Sequence, residues 1–233
     1  MSFVRRFLRI ALRLKRQKAA TEFLPEIRSS LDSELASEEW IKIRPVPGPG
    51  MLGLTEQIVL AMLVVRRRPS IMFEIGTYLG ATSALLAVNS PPDARVYTLD
   101  LQPTKEGRAT KFPQTAKSVT VGSSRVGELF RNSPSGHKIV QLFGDSATYD
   151  FSPYFGRMDL VFVDGNHQYD NVKADSYNAL KLMAPRGMII WHDYETEYGA
   201  DVVRCLNELG LSLPLRRIRD TRFVIYTTGE VGW

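Results

Sequence analysis

The sequence predicts an α/β fold in which a doubly wound, mostly parallel sheet carries helices on both faces. Short β-rich apolar runs alternate along the chain with helical patterns, and each run is apolar on both of its faces, as strands covered on both sides are. The chain has 233 residues, of which 44% are hydrophobic and 24% charged, values that suit one globular domain with an appendage. The predicted architecture is therefore Rossmann-like.

Each predicted element follows from the period of its apolar residues. Compact apolar runs predict strands at residues 71–75, 96–99, 139–143, 160–163, 188–191 and 223–227. Apolar residues at helical spacing predict helices at 55–65, 82–88, 172–183 and 200–209. The polar, glycine- and proline-containing stretch 102–138 predicts a loop with a short helix near 126–130. The last strand is expected to run antiparallel to its neighbours.

Three segments with different compositions follow one another along the chain. Residues 1–20 hold seven basic and no acidic residues, with apolar residues at helical spacing, so they predict a basic amphipathic helix. Residues 21–50 are predicted as a polar helical or linker segment that ends in a Pro-Val-Pro-Gly-Pro-Gly run, through which a helix cannot continue. The main domain is predicted over residues 51–233.

Charge and composition exclude several classes of function. The chain carries +5 in total and residues 1–20 alone carry +7, so the remaining residues carry −2 and give no general argument for nucleic-acid binding. No apolar segment reaches the ~20 residues of a membrane span. The single cysteine excludes an internal disulfide and favours a cytoplasmic location.

Residues at the ends of the predicted strands are the candidates for ligand binding, because open α/β sheets bind ligands outside the carboxyl ends of their strands. Gly76 and Gly80 lie in a strand-to-helix turn, and Asp100 ends the next strand, 24 positions after Gly76. That offset is near the one at which a carboxylate binds ribose hydroxyls. Tyr78 replaces the glycine that lets a backbone approach a pyrophosphate, so S-adenosylmethionine, which has a ribose but no phosphate, suits the turn better than a dinucleotide. Packing of the helix on the sheet is the alternative explanation for the two glycines.

Five motifs each lie at the end of a predicted strand: Glu74-Ile75-Gly76-Thr77-Tyr78-Leu79-Gly80-Ala81-Thr82, Val96-Tyr97-Thr98-Leu99-Asp100, Gly144-Asp145-Ser146, Leu160-Val161-Phe162-Val163-Asp164-Gly165-Asn166-His167 and Gly187-Met188-Ile189-Ile190-Trp191-His192-Asp193-Tyr194. With these motifs the sequence resembles the class I S-adenosylmethionine-dependent methyltransferases, and among them the catechol-type O-methyltransferases and their bacterial relatives. This resemblance covers about residues 50 to 228. It implies transfer of a methyl group from S-adenosylmethionine to a hydroxyl of a small molecule or glycan precursor.

The resemblance also implies which residues bind the cofactor. It places Gly76, Tyr78 and Thr82 along the methionine part of S-adenosylmethionine, Asp100 at the ribose, and Asp145 with Ser146 beside the adenine. Glu74, Gly80 and Asp164 complete the predicted cofactor-binding set.

A metal site and a catalytic base are implied in the same way. In the catechol-type enzymes magnesium is held by an aspartate after the fourth strand and by an Asp-Asn pair after the fifth. Asp164 and Asp193 match the two aspartates, Tyr194 stands in place of the asparagine, and His192 is the nearest substitute. Magnesium or another divalent ion is therefore expected. His167 occupies the position of the family's lysine base and, with Asp164, is predicted to be catalytic; capping of the following helix or a bond to a loop carbonyl is the alternative for His167.

Two further classes of function stay open on this fold, since fold does not fix chemistry. One is a nicotinamide enzyme or a metal-dependent hydroxylase-like enzyme, and the other is a non-catalytic scaffold that keeps the cofactor site. Residues 1–20 are expected to contact a lipid surface, such as the inner face of a membrane, with packing against a second subunit of a homo-oligomer and an organellar presequence as alternatives.

Overall fold

The structure, a computed structural model, describes residues 26–27, 40–46, 48, 50–102 and 125–228. The predicted amphipathic helix at 1–20 lies outside the described residues, as does much of the predicted polar loop. The described elements are β1 Glu26–Ile27, α1 Leu54–Arg67, β2 Ile71–Ile75, α2 Ala81–Asn89, β3 Arg95–Asp100, α3 Glu128–Arg131, β4 Ile139–Phe143, β5 Met158–Val163, α4 Tyr169–Leu182, β6 Met183–Trp191, α5 Ala200–Gly210, β7 Arg216–Ile218 and β8 Val224–Thr227.

The strands form one sheet whose order reverses next to its centre. The order is β1-β7-β8-β6-β5-β2-β3-β4, and β8 is antiparallel to both of its neighbours while the other pairs are parallel. The predicted fold class and the antiparallel last strand are confirmed. Strands β2, β3 and β4 extend in one direction, and β5 returns to the other side of β2. The switch point, where a ligand is expected, therefore lies at the carboxyl ends of β2 and β5.

Differences from the predicted elements have local causes. The six predicted strands and four predicted helices are present. The strands at 71–75 and 139–143 have the predicted bounds, the other elements have shifted ends, and the short helix predicted near 126–130 is α3. Strand β7 was missed because it has two arginines and no apolar run. Strand β1, which pairs with β7, lies in the segment predicted as polar helix or linker. None of the helices in the described ranges is both long and apolar enough to cross a bilayer.

Two apolar layers cover the two faces of the sheet. Neighbouring residues of β2 point into opposite layers, Met72 toward α1 and α2 and Phe73 toward α4 and α5, as the period of a strand requires. Both are fully buried. Cys205 belongs to the second layer, where burial raises the pKa of its thiol to about 12. The two layers hold the carboxyl ends of β2 and β5 side by side.

Candidate active site

The turn after β2 packs directly against the end of β5. Gly76 has a φ of +100°, and a Cβ at this position would lie 2.0 Å from the carbonyl oxygen of Asp164. Gly80 has a φ of +82°, and its Cβ would lie 2.4 Å from the ring of Phe130. Glycine is therefore required at both positions for close approach as well as for backbone conformation.

Asp100 and the turn are joined by a hydrogen bond. The backbone N–H of Tyr78 donates to Oδ2 of Asp100 at 2.8 Å, and the N–H of Leu101 donates to Oδ1 at 2.7 Å. Tyr78 itself has a left-handed φ of +49°. The structure thus brings together the two features, the glycine turn and the carboxylate, from which a ribose-binding cofactor was predicted.

Glu74 lies beneath the turn in a buried polar network. Its Oε2 accepts hydrogen bonds from the hydroxyls of Ser83 and Thr98, the latter at 2.6 Å, and Thr98 also contacts the Thr77 hydroxyl at 2.7 Å. Burial raises the pKa of Glu74 to about 8 although both hydroxyls oppose the shift. The structure therefore places Glu74 as a support for the turn, and its predicted contact with a cofactor stays a prediction.

The remaining predicted cofactor residues lie around the same end of the sheet. Asp145 follows β4 and accepts from the N–H of Ala147 at 2.9 Å, and the carbonyl of Ser146 accepts from the side-chain amide of Asn178 at 3.2 Å. Thr82 is in the first turn of α2 and lines a cavity of about 230 Å³ that α1 and α3 also border.

Four of the predicted titratable residues meet beside this turn. Asp164 follows β5, His192 and Asp193 follow β6, and His167 lies in the loop before α4. Nε2 of His167 is 2.8 Å from Oδ2 of Asp193. Nδ1 of His192 is 3.2 Å from Oδ1 of Asp164 and 3.4 Å from Oδ2 of Asp193. Tyr194, at the family's asparagine position, is instead buried in the core, where its hydroxyl donates to Asn207 at 2.6 Å.

Two residues that the sequence did not indicate complete this cluster. Glu56, in the first turn of α1, lies 3.2 Å from Nε2 of His192. Arg222 donates to both carboxylate oxygens of Glu56, at 3.0 and 2.9 Å, and to Oδ1 of Asp193 at 2.9 Å. Glu56 also accepts the N–H of Gly53, so its sequence position is explained by helix capping alone. Only the fold joins Glu56 to Arg222, which lies 166 positions away.

The network fixes the charges of its buried members. Burial alone would lower the pKa of His192, but Asp164, Asp193 and Glu56 raise it well above its ordinary value. Burial alone would raise the pKa of Glu56 and of Asp193. His192 and Arg222 instead hold the pKa of Glu56 well below its usual range, and His167 and His192 do the same for Asp193. The three carboxylates therefore favour the protonated form of His192, in which both ring nitrogens are donors. A protonated imidazole offers no lone pair to a metal.

Three residues of this cluster could together bind a metal ion. Within the described ranges, Asp164, His167 and Asp193 each present a ligand atom, and these atoms all lie within 4.8 Å of one another. His167, and not the predicted His192, is therefore the third member of this set of donor residues. Two carboxylates and an imidazole suit a divalent ion. His167 would first have to give up the proton that it shares with Asp193, because only the neutral ring ligates.

The sheet order, the antiparallel β8 and the turn bonded to Asp100 define the class as a Rossmann-like methyltransferase fold. A family model described as a methyltransferase domain matches residues 73–194, which is more than half of the chain. The chain belongs to this methyltransferase family, and the resemblance inferred from the sequence is confirmed.

Solved structures with the same fold include several O-methyltransferases. TomG from Streptomyces achromogenes, in complex with S-adenosylmethionine, is 19% identical, with 77% of this chain and 82% of that one covered and a TM-score of 0.54. An O-methyltransferase from Bacillus cereus, bound to S-adenosylhomocysteine, is 16% identical over 77% and 84%, with a TM-score of 0.55. The S-adenosylhomocysteine-bound methyltransferase PaMTH1 from Podospora anserina is 15% identical over 76% and 78%, with a TM-score of 0.57. At these identities the likeness shows a common fold.

One curated relative matches a short part of the chain. It is the uncharacterized protein y4gI of Sinorhizobium fredii, 40% identical over 58 residues. The match spans 24% of this chain and 6% of that protein.

Proposed function

We propose that the protein is an S-adenosylmethionine-dependent O-methyltransferase in which His167 is the general base. The observation that carries the proposal is the position of the His167–Asp193 pair at the same end of the sheet as the turn bonded to Asp100. A cofactor on this turn and an acceptor beside His167 would be neighbours. The cofactors named for the fold relatives support the same choice.

The hydrogen bonds of the turn favour a cofactor without phosphates. The N–H of Tyr78 is used by Asp100, that of Gly76 by the Leu99 carbonyl at 2.9 Å, and that of Gly80 by the Thr77 carbonyl at 2.8 Å. These amides are not offered to a pyrophosphate, which dinucleotide-binding turns hold through their backbone. A carboxylate has about four acceptor positions, so the amide bonds to Asp100 are compatible with additional bonds from ribose hydroxyls. This argues against the nicotinamide alternative.

His167 is placed to remove the proton of an acceptor hydroxyl. S-adenosylmethionine supplies a methyl group on a sulfonium sulfur, which a hydroxyl oxygen can attack in line. His167 is 45% exposed, and its Nε2 is oriented by Asp193, which leaves Nδ1 to take the proton. The hydrogen bond to Asp193 raises the pKa of His167, so the base is stronger and needs a correspondingly higher pH to be neutral. Arg222 and His192 hold Asp193 in place.

A divalent ion at Asp164, His167 and Asp193 is a second arrangement that the donor set supports. Such an ion, magnesium or manganese, would lower the pKa of an acceptor hydroxyl that it bound. His167 would then be a ligand and no longer a base, so the two arrangements exclude each other. In either case the acceptor is proposed to be a small molecule or a glycan precursor.

The test is a transfer assay with methyl-labelled S-adenosylmethionine against an extract of the cells that make the protein. We expect products that are heavier by one methylene unit and carry the label on oxygen. His167→Gln should lower the rate about 10²- to 10⁴-fold, the usual contribution of a general base, and should remove the rise of the rate with pH. His137→Gln is the matched control, because His137 is exposed and contacts the carbonyl of Pro134. An unchanged rate and pH profile in His167→Gln would return His167 to a structural role.

A further inference from the structure

A buried carboxyl group lies beneath the loop after β4, to which the adenine was assigned, and beneath the loop after β5. Asp175 is on α4 and is 1% exposed. The hydroxyl of Ser146, in the loop after β4, donates to it. Asn178, three residues further along α4, donates to the carbonyl of the same serine at 3.2 Å. Helix α4 thus holds the loop after β4 through two side chains.

The loop after β5 rests on the same carboxyl group. A Cβ at Gly165 would lie 2.7 Å from Oδ2 of Asp175, so the loop can approach this closely only because residue 165 is glycine. In the sheet, β4 and β5 are separated by β2 and β3, which puts them about 14 Å apart at about 4.8 Å per strand. Two loops that leave distant strands therefore converge on Asp175.

One oxygen of this group is left without a partner. Oδ1 of Asp175 is buried and accepts no hydrogen bond from the described part of the chain. Burial, together with the charge of the neighbouring Asp145, raises the pKa of Asp175 to about 7. Buried polar atoms are nearly always bonded in folded proteins, so Oδ1 of Asp175 can accept one further hydrogen bond at the point where the two loops meet.

On the basis of the proposed function, we propose that Asp175 is the positioning residue of the adenine subsite. It holds the loop after β4 and the loop after β5 at the separation that the purine requires. It transfers neither a proton nor a methyl group, and it acts on the cofactor through Ser146 and Gly165.

The experiment is a calorimetric titration of the full chain with S-adenosylhomocysteine, well below the melting temperature of each variant. Asp175→Ala is expected to weaken binding about tenfold or more, as the loss of buried hydrogen bonds does. Asp175→Asn keeps the shape and an acceptor for Ser146, so it should restore the affinity to within about threefold of the original chain. Ser176→Ala is the matched control, because Ser176 is the next buried residue of α4 but bonds Trp191 at 2.9 Å, away from both loops.

Gly165→Ala tests the same contact from the other side. The added methyl group should weaken S-adenosylhomocysteine binding, and combining it with Asp175→Ala should give less loss than the two single changes together predict. Gly165→Ala alone keeps the proposal testable if Asp175→Ala does not fold. Unchanged affinity in Asp175→Ala or in Gly165→Ala, or equal loss in Ser176→Ala, would overturn the role of Asp175. Failure of the original chain to bind S-adenosylhomocysteine would instead overturn the proposed function.

Discussion

The buried network around Glu56 should be a large contributor to stability. Glu56 is 4% exposed and accepts bonds from Arg222, His192 and the N–H of Gly53. Glu56→Ala leaves a guanidinium and a protonated imidazole without this carboxylate. Removing one partner of a buried ion pair costs about 3–5 kcal/mol of the free energy of unfolding. In a chain of this size, each kcal/mol of lost stability lowers the melting temperature by about 2–4 °C. The melting temperature of Glu56→Ala should therefore be lower by about 6–20 °C.

The assay is thermal unfolding at neutral pH, with Glu128→Ala as the matched control. Glu128 pairs with Arg125 at 2.8 Å on the surface, where both side chains are at least half exposed, and such pairs contribute about 0–1 kcal/mol. Glu56→Gln keeps the shape of the side chain and one acceptor, so its melting temperature should lie between those of Glu56→Ala and Glu128→Ala. A melting temperature for Glu56→Ala as high as that of Glu128→Ala would refute the reasoning.

The difference in stability between the original chain and Glu56→Ala should depend on pH, and it should decrease at both low and high pH. The pKa of Glu56 is lowered in the folded state, so its stabilisation is present above its ordinary pKa of about 4.5 and is lost as the pH falls toward the lowered value. The pKa of His192 is raised, so its stabilisation is complete below about 6.5 and is lost as the pH rises through the raised value. The difference in stability between the original chain and Glu56→Ala should therefore be largest between these limits.

Three other predictions concern the cofactor, the metal and the N-terminal segment. Gly76→Ala would place a methyl group 2.0 Å from the Asp164 carbonyl, so it should abolish the rise in melting temperature that S-adenosylhomocysteine gives, and an unchanged rise would contradict the close approach. Magnesium or manganese binding at Asp164, His167 and Asp193 should release a proton from His167, which calorimetry in buffers of different ionisation enthalpy detects; full transfer activity in a chelator would favour the base arrangement. Residues 1–20 should bind anionic vesicles more strongly than neutral ones at low salt, and co-sedimentation that survives removal of residues 1–20 would contradict that role.

The correct predictions depend on patterns formed by residues that are close together in the sequence. Strand β2 and its turn were predicted because an apolar run is followed by two glycines, and the structure confirms the strand. The close approach of Gly76 to the Asp164 carbonyl was not predicted. Asp164, His167 and Asp193 were implied by the resemblance to the methyltransferase family, whose motifs lie at the ends of predicted strands. Parallel strands bring their carboxyl ends to one side of the sheet, so residues in those motifs are expected to meet.

What the sequence did not predict depends on contacts between distant segments. Glu56 carries the local signal of a helix cap, and Arg222 precedes the last strand with no pattern of its own, so their pairing became visible only in the fold. His192 was chosen as a metal ligand by proximity to Asp193. Its carboxylate partners, which raise its pKa against the effect of burial, come from distant parts of the chain and are visible only in the fold.

The central claim is that the turn after β2 and Asp100 bind S-adenosylmethionine. Titration with S-adenosylhomocysteine tests it most directly when Asp100→Asn is compared with a control variant, Asp159→Asn. Both aspartates accept two backbone N–H bonds. Asp100 lies at the carboxyl end of β3, whereas Asp159 lies at the amino end of β5 and accepts from Ser70 and Ile71. We predict that one molecule binds per chain and, at 100 times its dissociation constant, stabilises the fold by about 2.7 kcal/mol. Asp100→Asn should abolish this binding and Asp159→Asn should keep it. Stabilisation by NAD but not by S-adenosylhomocysteine, or binding that ignores the change at Asp100, would contradict the account.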